Sequence, residues 1–520
     1  MKRSLLPPWY LALPAVAVAL GVLVPIGYLV VRAFDADAST VHDLVLRRRN
    51  LELFGNTMAL AAVVIAVSTL IALPLAWLTS RTDLRGRFVV TLLSILPLSI
   101  PGYVVGYALL GIGAPNGPLT SIFGAGGLHF SGFVGAATAL IVYNFPLVYL
   151  HLRTAFASVD PSLNDAARSL GLTPARVFLR VTVPQLVPAY LSAVLLVLLY
   201  VLGDFGVVSL MRYETFSYAI YMQYIASLDR TYAAWLALML LAITTTLVVA
   251  EFRLLRDLAL ERTGLGALPK LRPRRLGAWT VPAYAFVTAV ALASVALPVW
   301  SIVYWMGQRG AWTGAGELLH SFAGSIAVGT PAALLSTLLA VPLAYLSRRH
   351  SSGLTHALER SAYLGYATPA LAMALGWVVV VLRTAPWIYQ TSALLILAYT
   401  VHFLAQAIGP VRAGLHVATP RIEEAARSLG LGPIATFRRV TLPILRPGLV
   451  AAAILVFLSC IKELPLTIIL APLDFETLAL NMYGFTTEAM FAEAAPYALA
   501  IVLLSAGLTS ILFHRLGQES

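Results

Sequence analysis

Twelve stretches of this chain, each about 20 residues or longer and nearly free of charge, restrict its fold more than any other feature. They lie near 10–32, 57–80, 89–111, 131–154, 187–211, 233–252, 279–305, 321–346, 361–382, 391–411, 447–471 and 495–514. A helix of about 20 apolar residues crosses the roughly 30 Å of bilayer hydrocarbon. Backbone in hydrocarbon has to satisfy its own hydrogen bonds, so runs of this length are helices. The expected fold class is an all-α integral membrane protein with about 12 transmembrane helices. Composition agrees, at 59% apolar and 11% charged residues, against about 25% charged in soluble domains. The first run follows "MKRSLLPPWY", exceeds the apolar core of a secretory signal and has no small-residue cleavage site before Arg32, so it reads as an uncleaved span.

A net charge of +12 raises nucleic acid as a partner, and the distribution of the charge excludes it. With both termini in the cytoplasm of a bacterial inner membrane, the inside segments hold 26 of the 35 Lys and Arg and the outside segments 9. That asymmetry is the positive-inside rule. The outside run Arg47, Arg48, Arg49 breaks it without an evident reason. The single cysteine, Cys460, lies inside a span and permits no intrachain disulfide.

The chain is also written twice. "DAARSLGLTPARVFLRVTVPQLVPA" from Asp165 recurs as "EAARSLGLGPIATFRRVTLPILRPG" from Glu424, an offset of 259. "STLIALPLAWLTSR" from Ser68 recurs as "STLLAVPLAYLSRR" from Ser336 at an offset of 268, which Pro101 and Pro369 share. The offset changes where "GIGAPNGPLTSIFGAGGLHFSG" in the first copy gives way to "RTAPWIYQT" in the second. An even number of spans per copy gives both halves one orientation, related by a pseudo-twofold along the membrane normal. We therefore expect a first half at 1–260, a cytoplasmic linker at 261–278 and a second half at 279–520, with both repeated polar segments (165–184 and 424–443) facing the cytoplasm.

Each polar segment opens with a capping residue and a proline, Asp160 before Pro161 and Thr419 before Pro420. A side-chain oxygen there accepts orphan N–H groups, and proline at the first helical position sacrifices no bond. Leu163, Ala166, Ala167 and Leu170 then form an apolar stripe that Ile422, Ala425, Ala426 and Leu429 repeat, while Asn164, Asp165, Arg168 and Ser169 fill the other face. Gly171 and Gly430, with Pro174 and Pro433 beyond them, suit a left-handed C-terminal cap. The second stretch is expected to re-enter the membrane at Pro184 or Pro443. A stripe that is half alanine favours close approach to another protein over rest on a lipid surface. Glu423, Glu424 and extra arginine predict tighter docking by the second copy.

The pattern Glu-Ala-Ala, three residues, Gly, nine residues, Ile-x-Leu-Pro resembles the cytoplasmic signature of permease subunits of ATP-binding-cassette importers. It occurs at Asp165-Ala166-Ala167, Gly171 and Val181 to Pro184, and at Glu424-Ala425-Ala426, Gly430 and Val440 to Pro443. Asp165 stands for Glu, Val181 and Val440 for Ile, and Val183 for Leu. The fused twelve-span layout is similar to the ferric-iron permeases, whose segments after the signatures resemble "GDFGVVSLMRYETFSYAIY" and "KELPLTIILAPLDFETLALNMY". Thiamine permeases share the layout and supply the alternative substrate. The resemblance implies a type I importer permease fold, two copies of a separate ATPase subunit that uses ATP and Mg, and an extracytoplasmic binding protein. It implies that Asp165, Ala166, Ala167, Leu170 and Gly171, and likewise Glu424, Ala425, Ala426, Leu429 and Gly430, dock on that ATPase. No cofactor and no enzymatic activity are expected of this chain, since Lys2, Lys270 and Lys462 have no G-x-x-x-x-G-K-S/T context.

A parallel six-plus-six repeat is also the plan of proton-coupled secondary transporters. "TSRTDLRGR" resembles their D-R-x-G-R element through Asp83, Gly86 and Arg87, but Thr79 and Leu84 depart from it and "SRRHSSG" in the second half lacks it. The nine histidines show no ligand spacing, and tyrosines at span ends read as interfacial. Asp204 and Glu463 each lie 39 residues after the acid of their signature, hence at one depth in both halves. A carboxylate deep in a bilayer costs about 2.5–3.5 kcal/mol, so both acids, with Lys462 beside Glu463, are expected to line the pathway. The competing expectation is that Lys462 or another base neutralises Glu463 and both acids stay hydrated near the outer surface.

Overall fold

Apolar runs become helices, and prolines and polar residues decide where those helices break. The computed structural model describes residues 9–35, 38–123, 130–226, 231–259, 273–312, 315–350 and 352–518, so most of the expected linker lies outside the described residues. The first half comprises α1 (Trp9–Ala33), α2 (Arg48–Arg81), α3 (Arg87–Ser99), α4 (Gly102–Gly113), α5 (Gly132–Ser158), α6 (Pro161–Ser169), α7 (Pro174–Gly203), α8 (Gly206–Leu210), α9 (Phe216–Ala226) and α10 (Thr231–Ala259). The second comprises α11 (Gly277–Met306), α12 (Ala315–Arg349), α13 (Gly353–Ala367), α14 (Ala370–Thr384), α15 (Ser392–Val417), α16 (Pro420–Ser428), α17 (Pro433–Ile461), α18 (Pro465–Leu470), α19 (Leu478–Thr487) and α20 (Phe491–Gln518). These elements pair between the halves ten labels apart; the first half has in addition the short helices Ala38–Val45 and Pro118–Phe123. Among the described residues no strand forms, only an isolated bridge between Thr82 and Arg274.

Among the described residues ten helices are long and apolar enough to cross a membrane, and two bent pairs, each taken as one span, bring the number to 12. The runs at 89–111 and 361–382 are therefore not single straight spans: α3 meets α4 at 90° and α13 meets α14 at 108°. Proline disfavours helical geometry in the residue before it, and Ile100 (ψ 113°) and Thr368 (ψ 126°) accordingly turn extended before Pro101 and Pro369. The runs at 187–211 and 447–471 also overshoot, because α7 stops at Gly203 and α17 at Ile461 before the short helices α8 and α18. The segments leading to Pro184 and Pro443 are already helical before those prolines are reached. Helix resumes earlier, at Pro174 and Pro433, and runs through a π-helical turn at Phe178–Thr182 and Phe437–Thr441. The Val183 N–H reaches Phe178 O and the Leu442 N–H reaches Phe437 O, and each wide turn ends just before a proline that has no N–H to offer.

The two halves interlock. Helix α1 lies against α12, α13 and α14 of the other half, and α11 lies against α4. Gly376 allows this close approach, since a Cβ there would sit 2.6 Å from Pro25 O. Ser301 Oγ and Trp305 Nε1 of α11 donate to Ala108 O (2.9 Å) and Gly111 O (3.1 Å) of α4. Beyond α1, Asp35 pairs with Arg32 (3.2 Å) and with Arg383 of the second half (2.8 Å), and these guanidiniums hold its carboxyl below the usual range.

Two charged sequences acquire structural roles. Arg47 lies over the Tyr232 ring (4.8 Å), Arg48 pairs with Glu52 (3.3 Å) and Arg49 with Glu214 (3.4 Å), so the anomalous arginine run stitches the start of α2 to α10 and to the turn after α8. Asp83 accepts the Leu276 N–H at 3.0 Å and donates its own N–H to Arg274 O at 3.1 Å, fastening the entry to α11 onto the loop after α2.

Candidate functional site

Both signatures fold into short helices closed by a left-handed glycine. Asp160 caps α6 by accepting the Ser162 N–H at 2.8 Å. Thr419 occupies the same position before α16, but its hydroxyl makes no capping bond; its carbonyl accepts the Ile422 N–H at 3.1 Å instead. At the other end Gly171 (φ +82°) donates to Arg168 O and Leu172 to Ala167 O. Gly430 (φ +88°) and Leu431 repeat the pair onto Arg427 O and Ala426 O. This double closure is the Schellman arrangement, which satisfies carbonyls that a helix end leaves orphaned.

The expected stripe is not turned toward the chain. Ala167 and Ala426 are buried, while Leu163, Asp165, Ala166, Glu424 and Ala425 are exposed and Leu170 and Leu429 are 82% and 85% exposed. Glu423, expected to strengthen docking, faces inward at 3% exposure. It pairs with Arg349 at the end of α12 (3.3 Å) and with Arg427 (3.6 Å), and accepts from Tyr345 Oη (3.3 Å) and Thr441 Oγ1 (3.2 Å). Arg349 also donates to Ala418 O. The first half keeps the plan without the charge: Asn164 stands where Glu423 does, accepting from Thr182 Oγ1 at 3.2 Å. Thr182 and Thr441 both belong to the π-helical turns, so α6 and α16 are each bonded directly to the flaw at the root of α7 or α17.

The four helix breaks meet around one cavity of about 220 Å³. Its lining includes Pro101, Pro369, Asp204, Lys462 and Glu463, so the acids expected to face one another do share a space. Each acid also caps the short helix that follows it. Asp204 Oδ1 accepts the Val207 and Val208 N–H groups (3.0 and 3.3 Å), and Glu463 Oε1 accepts the Leu466 N–H (3.0 Å). Capping engages one oxygen of each; the other makes no hydrogen bond among the described residues. Lys462 forms no ion pair with Glu463 among the described residues. Its Nζ crosses to the first half and donates to Leu98 O (3.0 Å), a carbonyl freed by the break at Pro101.

Sequence reasoning missed other polar groups of this cavity. Tyr200 and Tyr366 join across the halves at 3.2 Å between their hydroxyls. Tyr143 and His402 are counterparts at the 259 offset and both line it. Tyr103 Oη and His402 Nδ1 are buried without a hydrogen-bond partner among the described residues. Polar residues recurring at matching mid-span positions were the available signal for Tyr143 and His402.

A twice-written helical membrane protein whose halves enclose a polar cavity, with paired polar helices on one face, has the form of a solute-transport component. The chain belongs to the family described as binding-protein-dependent transport system inner membrane component, whose model matches it twice, at residues 68–258 and 332–516. It is 32% identical to the Fe(3+)-transport system permease protein FbpB 2 of Haemophilus influenzae over 503 residues, covering 96% of this chain and 97% of that protein. It is 23% identical to the ferric transport system permease protein FbpB of Actinobacillus pleuropneumoniae over 475 residues, 86% of this chain and 69% of that one. The molybdenum transport system permease protein ModB of Azotobacter vinelandii is 34% identical over 170 residues, 32% of this chain and 72% of that protein.

Proposed function

We propose that the chain is the membrane subunit of an ATP-driven importer of ferric iron, with the signature helices in the cytoplasm and the opposite face receiving an iron-binding protein. The observation that carries this reading is the pair of matched, exposed docking helices, each bonded to a span that ends at an acid of the shared cavity. Two ATPase copies, one on α6 and one on α16, close on ATP and Mg. Their approach moves the docking helices, and Asn164–Thr182 and Glu423–Thr441 pass the movement to α7 and α17. The distal ends of those helices carry Asp204 and Lys462-Glu463, so movement at the root changes the cavity that lies between them.

Iron is favoured over an oxyanion because relatives similar over most of this chain carry ferric names and because two carboxylates, with hydroxyls around them, are hard donors suited to a trivalent cation. Thiamine remains the alternative. The test is uptake by the complete complex in liposomes, with its binding protein, of radioactive ferric iron against radioactive thiamine. ATP-dependent iron uptake that survives an uncoupler is the expected result; thiamine uptake without iron uptake, or collapse with the proton gradient, overturns the reading.

A further inference from the structure

On the face away from the signatures, the halves differ at one symmetry-related place. Register there is fixed by the same bond in each half: Thr57 Oγ1 accepts the Phe216 N–H (3.3 Å), and Ser325 Oγ accepts the Leu478 N–H (2.9 Å). Asn56 Nδ2 donates to Glu214 O at 3.0 Å, and Gly324, its counterpart, lies so near Glu476 O that a Cβ would sit 2.1 Å away. This register makes Arg49 the counterpart of Glu317, and Glu214 the counterpart of Glu476. In the first half the two positions form the Arg49–Glu214 ion pair. In the second both are carboxylates.

No cation of this chain pairs with Glu317, Glu476 or Glu493 among the described residues; Glu476 receives only the Ser321 hydroxyl, at 3.0 Å. The adjoining turn also reverses its charge, with Arg212 (φ 52°) in one half and Asp474 (φ 62°) at the same left-handed position in the other. Beside these acids lies a cavity of about 280 Å³ walled by Trp312, Phe485, Met490 and Tyr497, with Glu317 and Glu493 in its lining.

We propose that this cavity is a socket for an arginine side chain of the extracytoplasmic binding protein, whose guanidinium meets Glu317 and Glu493 in its lining, on the face where the first half carries its own Arg49–Glu214 pair. The inference rests on the importer reading above and adds the contact that orients the binding protein. Aromatic and thioether walls suit a flat, weakly hydrated guanidinium, which stacks on rings while its N–H fork meets carboxylates. A bare metal ion asks for a shell of oxygen donors instead, and no group of three acids or histidines able to hold a metal occurs among the described residues. Because the first half pairs Glu214 with its own Arg49, the acids left without a cation at this place among the described residues lie in the second half, and a two-lobed partner that needs them seats in one of its two pseudo-symmetric orientations.

Glu317→Arg rebuilds in the second half the pair that the first half already has, so it preserves folding while filling the socket. The affinity of the permease–ATPase complex in nanodiscs for its ferric-loaded binding protein should fall by about tenfold or more. Glu317→Gln with Glu493→Gln should do the same and flatten the salt dependence. Replacing the arginines of the binding protein one at a time should reveal one whose loss weakens binding to the wild-type complex and adds nothing to the Glu317→Arg defect. Unchanged affinity in an assembled Glu317→Arg complex overturns the socket alone. A wild-type complex that neither binds the loaded protein nor hydrolyses ATP faster in its presence overturns the importer reading, and the socket with it.

Discussion

Gly171 and Gly430 show what a single residue contributes here. Nothing lies within 4 Å of a Cβ built on either, so steric crowding cannot be what requires glycine; the positive φ alone does. Gly430→Ala should cost about 1–2 kcal/mol of local stability, and Gly430→Val more, because both strain the left-handed backbone. The check is co-purification of the ATPase and hydrolysis stimulated by the loaded binding protein, and wild-type values for Gly430→Val remove the docking role from α16. These glycines were legible because a C-terminal cap is a local device, written in a glycine followed three residues later by proline. Thr419 was misread by the same local logic, since being a good capping residue did not oblige its hydroxyl to bond. The run Arg47 to Arg49 could not be read at all: two of its partners, Tyr232 and Glu214, lie far along the chain.

At the scale of elements, the signature helices α6 and α16 look alike in sequence but are anchored by different chemistry. Glu423 sits buried among Arg349, Arg427, Tyr345 and Thr441, whereas Asn164 offers a neutral acceptor to Thr182. Removing one partner of a buried ion pair strands the other charge at a cost of about 3–5 kcal/mol, while losing a neutral hydrogen bond costs about 1 kcal/mol. Glu423→Ala should therefore loosen α16 and uncouple ATP hydrolysis from uptake far more than Asn164→Ala loosens α6. Proteolytic nicking at each signature, with the ratio of iron moved to ATP consumed, measures it; equal damage from the two variants removes the ionic hub as the difference. Sequence anticipated unequal halves but assigned the inequality to the exposed face, because a helical period marks which residues share a side and not which side turns inward. The span breaks were hidden for a related reason. Hydropathy counts apolar residues whether or not the helix continues, so the prolines at 101 and 369 had to be weighed as breaks within runs that otherwise look unbroken.

Across the whole molecule, interlocking of the halves left no mark in the sequence, since α1 meets α12, α13 and α14 through apolar and small residues that read as lipid-facing equally well. The acids of the cavity were legible through duplication: one spacing, 39 residues, gives both halves a carboxylate at the same depth. What spacing could not show is that Asp204 and Glu463 each cap a helix with one oxygen and leave the other free. That division allows capping and charge to be separated by choice of substitution. Asp204→Asn with Glu463→Gln keeps a carbonyl oxygen to accept the Val207 and Leu466 N–H groups and removes both charges, whereas Asp204→Ala with Glu463→Ala removes the caps as well. If the carboxylates draw a cation through the cavity, the amide pair should lower ATP-dependent iron uptake by about tenfold or more while ATPase assembly and basal hydrolysis stay at wild-type levels. The alanine pair should in addition weaken assembly, since a lost cap costs about 0.5–2 kcal/mol at each helix. Wild-type uptake by the amide pair, alongside a damaged alanine pair, leaves these acids as caps and nothing more. Loss of uptake in the amide pair with the complex intact places the negative charge itself on the path of the ion.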